Sequence, residues 1–131
     1  MCVLPGLPKS APVARHWAVD LMESWGVADS PAATCALGVS ELVANAVIHG
    51  SCGVVVCRLA QCGDEVRVEV HEWLVPTDLA TSPRLAFAGD EAERGRGLSL
   101  VDALSLGWGW TPPESGSGKG SCVWALFGRI R

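Results

Sequence analysis

The spacing of apolar residues predicts two consecutive helices in the first part of the chain. From Ser10 to Trp25, apolar side chains recur at intervals of three and four residues, which is the spacing of one helix face. Gly26 is expected to end this helix. A second helix is predicted from Ser30 to Ile48, because serine followed by proline is typical of a helix start and the stretch after it is rich in alanine, leucine and valine. His49 and the glycine after it then end this helix.

The next pattern is that of a β-hairpin. Val54 to Leu59 is a short run of mostly β-branched apolar residues, and Gly63-Asp64 supplies a turn. From Val66 to His71, valine alternates with polar residues. Alternation of this kind is typical of a strand with one buried face, so the hairpin is expected to pack one face on a core.

Regular periodicity fails after the hairpin, and we expect a lid at about residues 73–95, where prolines and several alanines occur. A third helix is predicted from Leu98 to Leu106, immediately after Gly95-Arg96-Gly97. Two final strands are predicted, one from Trp108 to Thr111 and one around the alternating residues of 122–126. This order favours an α+β fold, an α/β sandwich with helices on one face of a mixed, mainly antiparallel sheet.

Length and charge narrow the class of protein. The 131 residues fit one domain, which we place at residues 13–131, preceded by a flexible segment at 1–12. The formal net charge is −4 and the ten lysine and arginine residues are scattered, so we expect no direct contact with nucleic acid. We see no signal peptide and no apolar run of membrane-spanning length, and therefore expect a cytoplasmic protein that does not enter a membrane.

The six cysteines are expected to be reduced in that compartment and to act as small hydrophobic residues. A metal site made of His49, Cys52, Cys57 and Cys62 is the alternative. Their spacing does not match a C-x-x-C pattern, and most of them fall within or beside an apolar strand. We therefore favour the hydrophobic role.

Two short segments carry residues suited to phosphate chemistry. Glu41 and Asn45 are one helical turn apart and project from the same face of the second helix, where a carboxylate could accept a proton and an amide oxygen could bind Mg²⁺. Gly95-Arg96-Gly97 precedes a predicted helix start, where unpaired N–H groups could hold an anion. Taken separately, each pattern is also that of a solvated helix face or an ordinary loop.

Together these segments resemble the motifs of the gyrase B/histidine-kinase-like ATPases. The stretch from Glu41 to His49 looks like the N box of that superfamily, and the stretch from Gly95 to Val101 looks like its second glycine box. The stretch from Val66 to Glu72 stands where the first glycine box belongs. The segment from Trp108 to Ala125 is similar to the end of the short actinobacterial anti-sigma-factor serine kinases. The resemblance covers residues 14–127.

This resemblance implies a Bergerat-type fold that binds ATP and Mg²⁺ between the N-box helix and the lid. Asn45 would hold Mg²⁺, and Glu41 would be the general base. The implied nucleotide contacts also include residues of the glycine boxes and of the last strand, namely His49, Glu72, Gly95, Arg96, Gly97, Leu98 and Lys119. As in the short actinobacterial proteins, the chain would phosphorylate a serine of an anti-sigma antagonist, sequester a sigma factor and form a homodimer.

The chain departs from the superfamily pattern in the first glycine box. Glu72 stands where the superfamily has an aspartate that accepts the adenine amino group, and Leu74 stands where it has a glycine. This departure favours a second interpretation, in which a degenerate nucleotide site leaves a non-catalytic partner-binding module. A third is a stand-alone ATPase or a histidine-kinase fragment, although His16 lacks the surroundings of a phosphoacceptor.

Overall fold

The fold is an α+β sandwich with a five-stranded sheet, and the computed structural model describes residues 1–48, 52–74, 91–112 and 119–129. The helices are α1 (Ser10–Ser24), α2 (Asp29–Ile48) and α3 (Glu91–Leu104). The strands are β1 (Cys2–Pro5), β2 (Cys52–Cys62), β3 (Glu65–Leu74), β4 (Gly107–Thr111) and β5 (Lys119–Gly128).

The strands are arranged in the order β1-β2-β3-β5-β4, and each pairing between described strands is antiparallel. The three helices of the described residues form one layer, with α2 between α1 and α3 and in contact with β2, β3 and β5. Helix α1 contacts the edge strand β1, and α3 contacts the opposite edge strand β4. This confirms the predicted fold class, with the core between one sheet face and the helix layer.

The N-terminal segment 1–12 differs from the expectation that it is flexible. Cys2–Pro5 pairs with β2 as an edge strand, and the backbone N–H of Gly6 donates to the carbonyl of Gly53. The Ser10 hydroxyl, at the start of α1, donates back to the carbonyl of Pro5 over 2.6 Å. Local periodicity over four residues could not predict a strand whose pairing partner lies some fifty residues later in the chain.

Helix α1 ends at a glycine, as predicted. Gly26 has a φ of 77°, and its N–H bonds to the carbonyl of Glu23. The N–H of Val27 bonds to the carbonyl of Met22 over 3.0 Å, and both of these side chains are buried. This is the Schellman arrangement, which satisfies the last carbonyls of a helix and turns the chain toward α2.

Helix α2 has the length and mean hydropathy of a membrane-spanning segment, contrary to the sequence expectation. More than half of this stretch is nevertheless buried inside the fold. Most of its buried side chains belong to the core cluster, and Gly38 approaches the ring of Phe127 on β5 so closely that a Cβ atom would overlap it. The burial of α2 is therefore that of a core helix.

The start of α3 is a second correction. We predicted a helix beginning after Gly97, but the helix begins at Glu91 and includes Gly95, Arg96 and Gly97. Alanine, glutamate and arginine at 92–94 are strong helix formers, and a glycine inside a helix costs only about 1 kcal/mol. The lid predicted at about 73–95 overlaps the end of β3 and the start of α3, and the rest of it, residues 75–90, lies outside the described residues.

Candidate functional site

The inner face of β3 carries a row of buried side chains that includes a carboxylate. Val66, Val68 and Val70 alternate toward the helices, and Glu72 continues the same row with only 5% of its surface exposed. The row follows from the two-residue period of a strand. Burying a charged carboxylate is unfavourable unless hydrogen bonds compensate for the lost water, so Glu72 marks a specialised position on this face.

Ser121 on β5 supplies one such hydrogen bond. Its hydroxyl donates to Oε2 of Glu72 over 2.5 Å, and Ser121 itself is buried. The ladder between β3 and β5 shifts register at this point, because Glu72 alone stands between the pairs His71–Cys122 and Trp73–Lys119 while β5 has both Gly120 and Ser121 there. Such a bulge re-aims side chains and is common next to functional sites.

Gly120 allows the strands to approach closely at this bulge. A Cβ atom at this position would lie 2.8 Å from the Cβ atom of Glu72 and 3.0 Å from its carbonyl oxygen. Any other residue would therefore push β5 away from Glu72. The glycine, the extra residue in β5 and the serine together create the room in which the long glutamate side chain is held.

The end of α2 lies at the same end of the sheet. Residues 49–51 connect Ile48 to Cys52, a distance of at most about 15 Å. Cys52 pairs with Leu74, and Val55 pairs with Glu72. The chain therefore has to bring the C-terminal end of α2 close to the end of β3 that carries the buried carboxylate.

This part of α2 carries Glu41 and Asn45. Asn45 is 7% exposed and Glu41 is half-buried, and their separation by four residues places both on one face of the helix. Asn45 is about 4.5 Å along the helix axis from Ile48. Asn45 therefore lies within one turn of the helix end that leads to the Glu72 end of β3, and Glu41 lies one turn further back on α2.

The structure describes the other predicted site residues only in part. Leu98 is half-buried on α3 and packs against the core. Lys119 is the first residue of β5 and pairs with Trp73, but its side chain lies outside the described residues, as does all of His49. The side chains of residues 95–97 also lie outside the described part of the chain.

The position of the glycines within α3 affects their predicted role. Only the first four N–H groups of an α-helix, counted from its N-cap residue, lack a partner within the helix, and in α3 the last of these belongs to Glu93. Gly95, Arg96 and Gly97 follow that first turn. Their binding of phosphate through unpaired N–H groups would require the start of α3 to unwind, and it remains a prediction.

The outer face of β3 carries a different set of polar residues. The Arg67 side chain donates from Nε to Oε2 of Glu69 over 2.9 Å, and His71 Nε2 lies 3.0 Å from Oε1 of the same carboxylate. Hydrogen bonds from His71 and then from Arg67 lower the pKa of Glu69. The guanidinium of Arg67 also lies over the ring of Trp124, 4.8 Å from its centroid.

The alternative metal site near β2 does not form a cluster in the described residues. Cys57 is buried on the inner face of the sheet, whereas Cys62 is exposed at the end of the hairpin. Five residues of extended strand separate them by about 16 Å. His49 and the side chain of Cys52 lie outside the described residues.

The sequence patterns did not identify Ser121 or Gly120. The sequence pattern draws attention to Cys122 and Trp124, but the buried side chains of β5 are those of the odd-numbered residues, namely Ser121, Val123, Ala125 and Phe127. A serine at the end of an otherwise apolar row was the available signal. Its contact with Glu72 depends on a pairing between residues 49 positions apart, which no local pattern contains.

Comparison with known proteins agrees with this arrangement. Compared with curated protein sequences, the chain has no significant match. A family model described as the histidine kinase-like ATPase domain matches residues 4–124, a range that contains α1, α2, α3 and most of the described sheet. The match supports ATP binding as the function of the domain. With its helices on one face of an antiparallel sheet and a match over nearly its whole length, the chain belongs to the histidine kinase-like ATPase domain family.

Proposed function

We propose that this protein is an ATP- and Mg²⁺-dependent serine/threonine protein kinase that regulates transcription through protein partners. The observation that carries the proposal is the buried pair formed by Glu72 and Ser121, on two strands that both pack against α2. A degenerate site would be expected to lose a buried carboxylate, because its burial is unfavourable without a compensating role. Here the bulge and Gly120 accommodate it.

The pair has hydrogen-bonding groups suited to adenine. A carboxylate accepts several hydrogen bonds, so Glu72 can accept one from an exocyclic amino group as well as the one from Ser121. The Ser121 oxygen keeps acceptor capacity while its proton is directed at Glu72. A guanine base has a carbonyl oxygen where adenine has the amino group, and that oxygen would face a carboxylate. The pair therefore favours adenine over guanine.

Asn45 and Glu41 would serve the phosphate end of the nucleotide. The Asn45 amide oxygen is a ligand type that Mg²⁺ accepts, and the bound ion would offset phosphate charge. Glu41 would accept the proton of the attacking serine or water hydroxyl at a carboxylate oxygen, and so orient that oxygen toward the phosphoryl group. These roles rest on the family resemblance and on the shared helix face of the two residues.

The partners and compartment follow from the resemblance to anti-sigma-factor kinases alone. We infer a cytoplasmic protein that sequesters a sigma factor and phosphorylates an anti-sigma antagonist, and that forms a homodimer. The net charge of −4 and the scattered cations fit a protein that acts on transcription through protein contacts and not through DNA.

Calorimetric titration with ATP, with and without Mg²⁺, tests the proposal. Metal-dependent binding is expected for the native protein, and Asn45→Ala should abolish its Mg²⁺ dependence. Glu41→Ala should retain ATP binding but lose phosphoryl transfer. The assay for this transfer is the slow hydrolysis of ATP that is labelled at its γ-phosphate. Glu23→Ala, which removes an exposed carboxylate from α1, is the matched control and should change neither.

Base selectivity provides a second test at the other end of the nucleotide. Glu72→Gln keeps the shape of the side chain but removes its charge. It should weaken ATP binding by about tenfold or more, because a hydrogen bond to a charged group contributes about 1.5–3 kcal/mol. Affinity for GTP should fall much less. Absence of ATP binding by the native protein would contradict the kinase proposal and leave a partner-binding module on an inherited fold.

A further inference from the structure

Three different metal-ligand types meet on the outer face of the sheet, opposite to the face that carries Glu72. His71 on β3 pairs directly with Cys122 on β5, and Glu69 lies two residues before His71 on the same face of β3. Their ligand atoms all lie within 4.8 Å of one another, and all three residues are half-buried. From this convergence we propose that Glu69, His71 and Cys122 form a binding site for a divalent transition metal, most simply Zn²⁺.

The distances fit this coordination. In a tetrahedral zinc site with ordinary bond lengths, a histidine nitrogen lies about 3.6 Å from a cysteine sulfur and about 3.3 Å from a carboxylate oxygen. Here His71 Nε2 lies 3.6 Å from the Cys122 sulfur and 3.0 Å from Oε1 of Glu69. The Cys122 sulfur and the Glu69 carboxylate lie within 4.8 Å of each other, whereas a tetrahedral site needs about 3.6 Å, so closing the site would require a side-chain movement of about an ångström.

The carboxylate is already oriented for this role. Arg67 Nε donates to Oε2 of Glu69, which turns Oε1 toward His71. Arg67 is itself positioned over the Trp124 ring. Residues that hydrogen-bond to a metal ligand without touching the metal fix the orientation of that ligand, and they are a regular part of metal sites. Three protein ligands would leave a fourth position for water.

The chemistry of the ligands selects the class of metal. Thiolate and imidazole favour Zn²⁺, Co²⁺ and related ions over Mg²⁺, which prefers oxygen ligands. A thiolate and a carboxylate together would balance the charge of a divalent ion, and the thiol would release its proton on binding.

This site is separate from the proposed Mg²⁺ site. Successive residues of a strand point to opposite faces, so His71 and Glu72 face different sides of the sheet. An ion held by His71 and Cys122 would join β3 to β5 at the edge of the bulge that contains Ser121. The metal can therefore be tested without nucleotide, and failure of one proposal leaves the other intact.

Titration of the full chain, stripped of metal by a chelator and without an affinity tag, tests the proposal with Co²⁺ and Zn²⁺ as the probes. Cobalt should bind in a 1:1 ratio and produce the near-ultraviolet charge-transfer band of a thiolate–cobalt bond. Zinc should displace it, and calorimetry in buffers of different ionisation enthalpy should detect the released proton.

Variants identify the ligands. Cys122→Ser should abolish the charge-transfer band, and His71→Ala should weaken Co²⁺ binding by at least about tenfold. Cys62→Ser, which removes an exposed thiol at the end of the hairpin, is the matched control and should keep both the band and the affinity. Circular dichroism of each variant checks that it is folded. Absence of the band in the native protein, or a band that persists in Cys122→Ser, would overturn the proposal.

Discussion

The hydroxyl of Ser121 donates to the carboxylate of Glu72 across 2.5 Å, and this contact joins β5 to β3 where the ladder between the two strands is interrupted. At other positions the inner faces of these strands meet through apolar side chains such as Val70 and Val123. The contact therefore combines a structural function, which is to give a buried carboxyl group a hydrogen bond, with the binding function proposed for Glu72.

Ser121→Ala should lower both stability and ATP affinity. The change removes a donor from a buried carboxylate, and a loss of this kind costs about 1–3 kcal/mol. Urea denaturation at neutral pH would measure the unfolding free energy, and calorimetry would measure ATP affinity. Stability and affinity that both match the native protein would contradict the role given to this hydrogen bond.

Ser105→Ala is the matched control for that variant. The Ser105 hydroxyl oxygen is buried and has no hydrogen-bond partner among the described residues. Removing a buried hydroxyl that makes no bond should be neutral or should raise the unfolding free energy. A loss as large as that of Ser121→Ala would show that the measurement reports the removal of any buried hydroxyl.

Two glycines on β4 should respond differently to alanine. A Cβ atom on Gly109 would lie 2.5 Å from Nε1 of Trp124, whereas one on Gly107 would meet no atom within 4 Å. Gly109→Ala should therefore cost about 1–3 kcal/mol through overpacking. Gly107→Ala should be neutral or slightly stabilising, because alanine restricts the unfolded chain. Thermal denaturation of the two variants checks this, and equal melting temperatures would contradict it.

The stability contributed by Glu69 should depend on pH. Its pKa is lowered in the folded state by the hydrogen bonds from His71 and Arg67. A carboxyl with a lowered folded-state pKa stabilises the fold above its unfolded pKa, and this stability is lost as the pH falls through the folded value. Glu69→Gln should therefore lower the unfolding free energy near neutral pH, by up to about 1 kcal/mol for this partly exposed pair.

Urea denaturation across a pH series measures the difference between the two proteins. It should shrink as the pH falls well below 4.5, the ordinary value for a glutamate. Asp20→Asn, which changes an exposed carboxylate on α1, should have little effect at any pH. A Glu69→Gln difference that stays constant across the series would assign the effect to packing and not to charge.

The cysteines should differ in reactivity toward an alkylating reagent. Burial raises the pKa of Cys35 and of Cys57 to about 12, and the thiolate is the reactive form. In the native protein at mildly alkaline pH, the exposed Cys62 should therefore be alkylated long before either of them. Mass spectrometry of the digested protein locates the label. Labelling of Cys57 as fast as Cys62 would contradict the burial of β2.

Most of the architecture was predictable because its signals are local. The three-and-four spacing predicted α1 almost to the residue, and Gly63-Asp64 predicted the turn between β2 and β3, where Gly63 has a φ of 64°. The start of α3 was not predictable in this way. Its glycines resemble a helix boundary locally, but packing of α3 against α2 offsets their low helix propensity.

The candidate site was predictable only in part, for a related reason. Glu41 and Asn45 follow from helix geometry, and Glu72 followed from the order of the family motifs. Ser121 and the cluster of Glu69, His71 and Cys122 depend on the pairing of β3 with β5. That register is set by contacts between distant segments, and it becomes visible only once the sheet is formed.

Because Glu72 follows Val66, Val68 and Val70 in one buried row, the wall of the proposed nucleotide site would be continuous with the hydrophobic core. Amides on such a central strand should exchange slowly even without nucleotide, so little entropy would be lost at this wall on binding. Substitutions at these valines would move β3 and with it the carboxylate of Glu72. Such substitutions, although far from the ligand, would then change the selectivity for adenine and the thermal stability together. The two properties would therefore be expected to change together among variants.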